Sequence, residues 1–183
     1  IGRGQPAFER VADAGLVAGP VLEAGCGTGE NALFFAARGL EAVGVDAVET
    51  AVTAARVKAA ARGLTVEFLV HDALALGELG RRFGTVVDSG LFHTFDDDER
   101  SLYVASLVAA TALRARVFVL CFSELELGEG GPRRVTQAEL HDAARAAGFD
   151  GLASGAAEEA ADHPGGLAQP AVLGGRLEPR QGI

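Results

Sequence analysis

Apolar positions along the chain alternate between a spacing typical of strands and a spacing typical of helices. Short apolar runs at 21–24, 41–46, 65–70, 85–88 and 115–122 predict strands. Apolar residues three or four positions apart predict helices at 6–15, 28–38, 49–62, 96–113 and 136–147. Strands that alternate with helices favour an α/β fold, here a Rossmann-like, doubly wound and mostly parallel sheet with helices on both faces.

The pattern stops near Phe149. Residues 150–183 contain no aromatic side chain and a single valine, whereas strands favour β-branched and aromatic residues. A sheet of this kind normally gains two further strands after the last helix. We therefore predict one domain over 1–149 and an atypical, irregular segment at 150–183, so that the C-terminal strands are short, irregular or missing.

The charge balance changes the set of expected partners. The chain has 16 Lys and Arg against 25 Asp and Glu, a net charge of −9, which repels phosphate backbones and anionic lipids. We expect neither nucleic acid nor a membrane as partner. Cys26 and Cys121 lie far apart and outside any Cys-x-x-Cys spacing, so we expect no disulfide framework, no metal site and a cytoplasmic location. These patterns leave the oligomeric state open.

The first predicted strand leads into the glycine-rich stretch GCGTG, from Gly25 to Gly29. Glycines between a strand and a helix let a ligand approach free backbone N–H groups at the positive end of the helix. The dinucleotide fingerprint Gly-x-Gly-x-x-Gly requires a glycine where this chain has Glu30. That carboxylate is expected to oppose a pyrophosphate, so the turn favours a ligand that lacks phosphates and carries positive charge.

An acid closes the second predicted strand. Asp46 lies 17 residues after Gly29, where a carboxylate can accept hydrogen bonds from both hydroxyls of a ribose. The alternative is a tight connection between strand and helix, with Asp46 as an ordinary surface residue.

Several motifs carry a resemblance to a known family. VLEAGCGTG followed by GVD resembles motif I and the following acid of class I S-adenosylmethionine-dependent methyltransferases. EFLVHDAL resembles the next motif, and VVDSGLFHTFDDDERSLYVASL resembles the fourth-strand motif of thiopurine and heterocyclic-toxin methyltransferases, a branch that acts on small molecules. IGRGQP is similar to the entry segment of that branch. The resemblance spans residues 1–149.

The resemblance implies a cofactor, S-adenosyl-L-methionine, and the residues that hold it. The methionine part is assigned to Glu23 and to the turn formed by Gly25, Cys26, Gly27, Thr28 and Gly29. Asp46, with Ala47 beside it, is assigned to the ribose, and Asp72 with Ala73 to the adenine. Asp88 is assigned to a position under the methionine amino group.

The implied activity is methyl transfer to a small molecule that is heterocyclic or carries a hydroxyl, thiol or amine. Orientation of two reactants can supply most of the rate of such a displacement. Enzymes that methylate base or glutamine amino groups usually have Asn/Asp-Pro-Pro-Tyr/Phe after the fourth strand, whereas this chain has Asp88-Ser89-Gly90-Leu91. His93 is a candidate for acceptor binding or proton removal, and its alternative role is to order the loop or to stack on the acceptor.

Two other functions remain open at this level. One is a module with the same fold that binds S-adenosylmethionine without turnover. The other is a nicotinamide-dependent reductase, which the misplaced third glycine disfavours. The chain also departs from the family before its fifth strand, where LRARVF replaces the usual Pro-Gly-Gly.

Overall fold

The computed structural model describes residues 2–122, 124, 133–150 and 175–177. The helices are α1 (Pro6–Asp13), α2 (Glu30–Ala37), α3 (Glu49–Ala61), α4 (Asp97–Ala110) and α5 (Gln137–Ala146). The strands are β1 (Val21–Ala24), β2 (Ala42–Asp46), β3 (Glu67–Val70), β4 (Phe83–Ser89), β5 (Thr111–Leu120), β6 (Phe149–Asp150) and β7 (Gly175–Leu177). Within these ranges, none of the helices combines the length and the apolar character that crossing a membrane requires.

The strands form one sheet in the order β3-β2-β1-β4-β5-β7-β6. β1 to β5 are parallel, and β7 pairs antiparallel with both β5 and β6. Neighbouring residues of β1 face opposite sides, so that Leu22 joins a core with α4 and α5 while Val21 joins a core with α1, α2 and α3. The predicted doubly wound sheet with helices on both faces is confirmed.

Helix caps define several boundaries that the sequence pattern placed only approximately. Gly29 has a left-handed backbone, so the helix does not extend back to this residue and α2 begins at Glu30. Asp96 caps α4 and Thr136 caps α5, each in a reciprocal capping box with the glutamate three residues later. Two short 3-10 helices, Ala73–Leu79 and Phe92–Thr94, follow β3 and β4 and were not predicted.

The end of the sheet is short, in agreement with the predicted fold class. β6 has two residues and β7 has three. Most of the predicted irregular segment, 151–174 and 178–183, lies outside the described residues. The division of the chain into a domain at 1–149 and a separate segment at 150–183 therefore stays a prediction.

The start of β5 contains the one non-glycine residue with positive φ in the described part of the chain, Arg114 at 64°. Leu113 and Arg114 are both exposed, and the pairing between β4 and β5 shifts register here. This is where LRARVF replaces the usual glycines of the family. The substitution therefore leaves a strained residue near the start of β5.

Replacing Arg114 with glycine is expected to stabilise the protein by about 0.5–1 kcal/mol. The left-handed conformation costs a non-glycine residue roughly 1–2 kcal/mol, and the extra backbone entropy of glycine offsets part of that gain. Urea unfolding measures the change. Leu113→Gly, at an exposed neighbour without positive φ, is the control and is expected to destabilise. A destabilised Arg114→Gly protein would contradict the assignment of strain.

Candidate active site

The glycine turn lies between β1 and α2, at the carboxyl end of the sheet. Gly25, Gly27 and Gly29 all have positive φ, at 67°, 51° and 82°. A Cβ at Gly29 would lie 2.5 Å from the ring of Phe68, so this glycine is required for packing. A Cβ at Gly27 would meet nothing within 4 Å. The turn thus packs on one side and leaves backbone at Gly27 that a ligand can approach.

Asp46, the last residue of β2, is bonded to this turn. Its Oδ2 accepts the N–H of Gly27 at 2.7 Å, and its Oδ1 accepts the N–H of Val48 at 2.9 Å. The side chain is half-buried and Ala47 beside it is exposed. Each carboxylate oxygen has a further lone pair, so Asp46 can accept the hydroxyls of a ribose without releasing the turn.

Glu23 lies beneath the turn rather than on its surface. The residue is 2% exposed, and its oxygens accept hydrogen bonds from Nδ2 of Asn31 at 2.6 Å and from the N–H of Ala32 at 2.8 Å. Oδ1 of Asn31 accepts the N–H of Gln5 at 2.8 Å. Burial raises the pKa of Glu23 to about 8. Glu23 therefore joins β1, α2 and the N-terminal segment, and its contact with a ligand stays a prediction.

Asp88, near the end of β4, is fully buried and pairs across the sheet with Ala24. Its carboxylate accepts the N–H of Leu91 at 2.8 Å, the N–H of Phe92 at 3.0 Å and the hydroxyl of Tyr103 at 2.9 Å. Burial raises the pKa of Asp88 to about 7. Asp88 thus orders the loop after β4, and sequence reasoning missed Tyr103 as its partner.

The raised pKa of Asp88 predicts a pH-dependent stability. Because the folded value lies above the ordinary value of 3.8, the stabilising contribution of this group is complete below about pH 4 and is lost as the pH rises through about 7. Asn at position 88 does not titrate. The difference in unfolding free energy between wild type and Asp88→Asn is expected to shrink by about 2 kcal/mol from pH 5 to pH 8. Urea unfolding at both pH values measures it, and a constant difference would contradict the assignment.

The predicted adenine residues lie at the same edge of the sheet. Asp72 is exposed, and its Oδ1 caps the 3-10 helix by accepting the N–H of Leu74 at 2.9 Å. The N–H of His71 donates to the carbonyl of Asp46 at 3.0 Å, which ties this loop to the ribose candidate. Ala73 is buried, and its carbonyl accepts the hydroxyl of Ser106 at 2.7 Å.

The expectation for Glu30 is wrong. Its carboxylate does not extend into the turn, because Nζ of Lys58 and Nη1 of Arg62 donate to it at 2.7 and 2.8 Å. Lys58 also donates to Oγ1 of Thr28 at 2.7 Å. Two cations on α3 therefore neutralise Glu30 and hold the start of α2, so this carboxylate gives no electrostatic reason against a phosphate.

His93 belongs to the short 3-10 helix after β4 and is 6% exposed. Its Nδ1 accepts the N–H of Phe122 at 3.4 Å, and the two rings meet edge-on with centroids 5.1 Å apart. Burial lowers the pKa of His93. Cys26 and Cys121 are buried, and burial raises the pKa of both thiols, which disfavours a reactive thiolate.

A parallel sheet with a glycine turn after its first strand and an acid after its second defines the class of Rossmann-like domains that bind nucleotide-like ligands at the strand ends. The family that matches the chain narrows this class. Residues 21–112 match the family described as methyltransferase domain. The chain belongs to this family, and the resemblance to class I S-adenosylmethionine-dependent methyltransferases is confirmed.

Individual relatives agree with this family. The chain is 41% identical over 145 residues to the 2-heptyl-1-hydroxyquinolin-4(1H)-one methyltransferase of Mycobacteroides abscessus, and the match covers 78% of this chain and 64% of that enzyme. This chain thus spans just under two thirds of the length of that relative.

Solved structures show the same fold. A structure from work on the conversion of a disulfide bond into a thioacetal group during echinomycin biosynthesis has 35% identity and a TM-score of 0.81, over 97% of this chain and 83% of that one. The 1,6-didemethyltoxoflavin-N1-methyltransferase of Burkholderia thailandensis has 23% identity and a TM-score of 0.75, over 96% of this chain and 78% of that one.

Proposed function

We propose that the protein transfers a methyl group from S-adenosylmethionine to a small-molecule acceptor. The observation that carries the proposal is the open backbone at Gly27, whose N–H is held by Asp46 at 2.7 Å. When bound, S-adenosylmethionine supplies a methyl group that is already activated by its sulfonium. The protein then has to hold donor and acceptor in line, because orientation can supply most of the rate.

The residues present fit this cofactor. Gly27 leaves the room that a close-lying ligand needs, and a methyl group at that position would occupy it. Asp46 keeps lone pairs for the ribose, and Asp72 lies exposed on the neighbouring loop for the adenine amino group. The buried side chains of Glu23 and Asp88 hold the backbone around the site, Glu23 through the N–H of Ala32 and Asp88 through the N–H groups of Leu91 and Phe92.

The acceptor side is aromatic. Phe92 is buried in the loop after β4, and Phe95 and Phe122 are half-buried beside it. The loop itself contains no proline, so it lacks the motif used for amino groups of bases. Among the relatives whose names give an acceptor, one is named for a hydroxyquinolinone and another for 1,6-didemethyltoxoflavin. These features support a planar heterocycle as acceptor.

The remaining partner and location assignments rest on composition. The net charge of −9 supports a small molecule as partner and disfavours nucleic acid and anionic membranes. Both cysteines are free thiols, which supports the reducing cytoplasm as location.

Calorimetry with S-adenosylmethionine, S-adenosylhomocysteine and NADH tests the proposal. We expect binding of the first two in the micromolar range and no binding of NADH. Mass spectrometry after incubation with S-adenosylmethionine and 2-heptyl-1-hydroxyquinolin-4(1H)-one then tests for a methylated product. Binding of NADH alone would favour the reductase, whereas donor binding without turnover on any heterocycle tested would favour the non-catalytic module.

A further inference from the structure

Ser106, a residue of α4, is bonded to the loop that follows β3. Its hydroxyl donates to the carbonyl of Ala73 at 2.7 Å and accepts the N–H of Leu76 at 2.7 Å. All three residues are buried. Without the hydroxyl, a buried carbonyl and a buried N–H would each lose a partner, which is costly. Ser106 therefore holds this part of the loop against α4.

The two backbone groups that Ser106 bridges lie on either side of a kink in the 3-10 helix Ala73–Leu79. They are three residues apart, the spacing that a 3-10 helix joins directly. Between them, Ala75 has φ of −128° and ψ of 28°, outside the helical range. A side chain that inserts between such groups is a known cause of a kink. The path of the backbone from Ala73 to Leu76 therefore depends on a residue of α4.

A close approach one turn further along α4 supports the same contact. A Cβ at Gly77 would lie 2.9 Å from Cβ of Ala109. Ala109 is three residues after Ser106, so both lie on one face of the helix. The absence of a side chain at Gly77 thus lets the 3-10 helix lie as close to α4 as the bonds of Ser106 require.

The opposite side of this loop faces the end of β2. The N–H of His71 donates to the carbonyl of Asp46 at 3.0 Å, and Nε2 of His71 donates to the carbonyl of Ala75 at 3.0 Å. Asp72 is exposed and keeps lone pairs for a ligand. Ala73 is the first residue of the 3-10 helix, so its N–H has no helical carbonyl to bond. Asp72 and Ala73 can therefore offer a carboxylate and an N–H to one ligand.

Adenine has the complementary pattern on one edge. Its 6-amino group is a donor, and the neighbouring N1 is an acceptor. Hypoxanthine reverses both, with a carbonyl at position 6 and an N–H at position 1. Because hydrogen bonds weaken steeply with poor distance and angle, the choice between the two bases depends on where the backbone holds Asp72 and Ala73.

We infer that Ser106 is a positioning residue for the recognition of adenine. Through the carbonyl of Ala73 and the N–H of Leu76, it fixes the backbone that presents Asp72 and Ala73 to the base. This inference rests on the proposed function and adds a residue of α4 that contributes to cofactor specificity without touching the cofactor. Ser106 acts on the alignment of two hydrogen bonds, so its loss reduces discrimination between bases as well as affinity.

Calorimetry with S-adenosylhomocysteine and S-inosylhomocysteine tests this role. The ratio of the two Kd values is the preference for adenine. We expect wild type to prefer S-adenosylhomocysteine by roughly 100-fold, and the preference to fall about tenfold in Ser106→Ala. Misaligned groups lose both the bonds to adenine and the mismatch with hypoxanthine. An unchanged preference in Ser106→Ala would overturn the inference.

Thr85 provides a matched control at the other end of the sheet. Its hydroxyl donates to the carbonyl of Ala18 at 2.8 Å and accepts the N–H of the same residue at 2.9 Å. Thr85 pairs with Val21, the first residue of β1, and so lies away from the glycine turn. We expect both Thr85→Val and Ser106→Ala to unfold at lower urea, but the preference to fall only in Ser106→Ala. An equal fall in both variants would make the effect one of general stability and overturn the positioning role.

Two milder variants test the same contact. Ser106→Cys keeps a group of similar size that is a weak donor and a weak acceptor, so its preference is expected to lie between those of wild type and Ser106→Ala. It also carries the test if Ser106→Ala does not fold. Gly77→Ala displaces the 3-10 helix from Ala109 and is expected to lower the preference as well. A wild-type preference in both of these variants would contradict the inference.

The wild-type protein separates this inference from the proposed function. Failure to bind either S-adenosylmethionine or S-adenosylhomocysteine would overturn the proposed function. Equal binding of S-adenosylhomocysteine and S-inosylhomocysteine would leave cofactor binding intact and overturn only the inference, because Asp72 and Ala73 would then not distinguish the two bases.

Discussion

Asp46→Ala is expected to weaken the binding of S-adenosylmethionine by about 2–4 kcal/mol, or roughly 30- to 1,000-fold in Kd. The carboxylate has one observed role and one proposed role. It holds the N–H groups of Gly27 and Val48 at 2.7 and 2.9 Å, and its remaining lone pairs are the proposed acceptors for the ribose hydroxyls. Its removal loses charge-assisted hydrogen bonds to the ligand and releases the turn that the ligand contacts.

Calorimetry on folded variants measures this effect. Asp46→Asn keeps one carbonyl oxygen and no charge, so it is expected to bind with an affinity between wild type and Asp46→Ala. Asp13→Ala is the control, because Asp13 makes an exposed ion pair with Arg38, a kind of interaction that contributes little. An unchanged Kd in a folded Asp46→Ala protein would remove Asp46 from the site.

The sequence predicted those parts of the candidate site whose geometry depends on local backbone chemistry. A strand, alternating glycines and a helix start can be recognised within one short segment, because left-handed backbone next to a helix N-terminus needs glycine. Asp46 could be found because parallel strands end at one edge, so that the end of β2 lies beside the turn after β1. Asp72 and Asp88 were assigned through the resemblance, and they follow or end β3 and β4 at the same edge.

Partners that are distant along the chain could not be predicted in this way. Asn31 is eight positions from Glu23, and Tyr103 is 15 positions from Asp88, and each looked like an ordinary helix residue. Their roles appear only once α2 and α4 are packed on the sheet. The pairing of Phe122 with His93 depends in the same way on β4 and β5 being neighbours.

The error on Glu30 has the same origin. From the local sequence alone, a glutamate next to a glycine turn is expected to place a negative charge close to a bound ligand. In the folded chain, Lys58 and Arg62 on α3 pair with Glu30 and neutralise that charge. The family assignment was unaffected because the glycines, Asp46 and the fourth-strand motif carry it independently.

Gly27→Ala is expected to abolish most cofactor binding while leaving the fold intact. A Cβ at Gly27 meets nothing within 4 Å, so the stability cost is limited to left-handed backbone strain of about 1–2 kcal/mol. The new methyl group would stand where the ligand approaches the backbone. We expect Kd for S-adenosylmethionine to rise about 10- to 100-fold or more, by analogy with the cost of overpacking a close contact.

Two other glycines separate strain from contact with the ligand. Gly39 has φ of 80° and open space around its Cβ position, so Gly39→Ala is expected to lose about 1–2 kcal/mol of stability and no affinity. At Gly29 a Cβ would lie 2.5 Å from Phe68 and 2.9 Å from Ala55, so Gly29→Ala is expected to lose about 3 kcal/mol or more through strain and overpacking together. Urea unfolding and calorimetry on the three variants distinguish these roles. If Gly27→Ala binds S-adenosylmethionine as tightly as Gly39→Ala does, the ligand does not approach the backbone at Gly27. Its binding site then lies elsewhere along the strand ends.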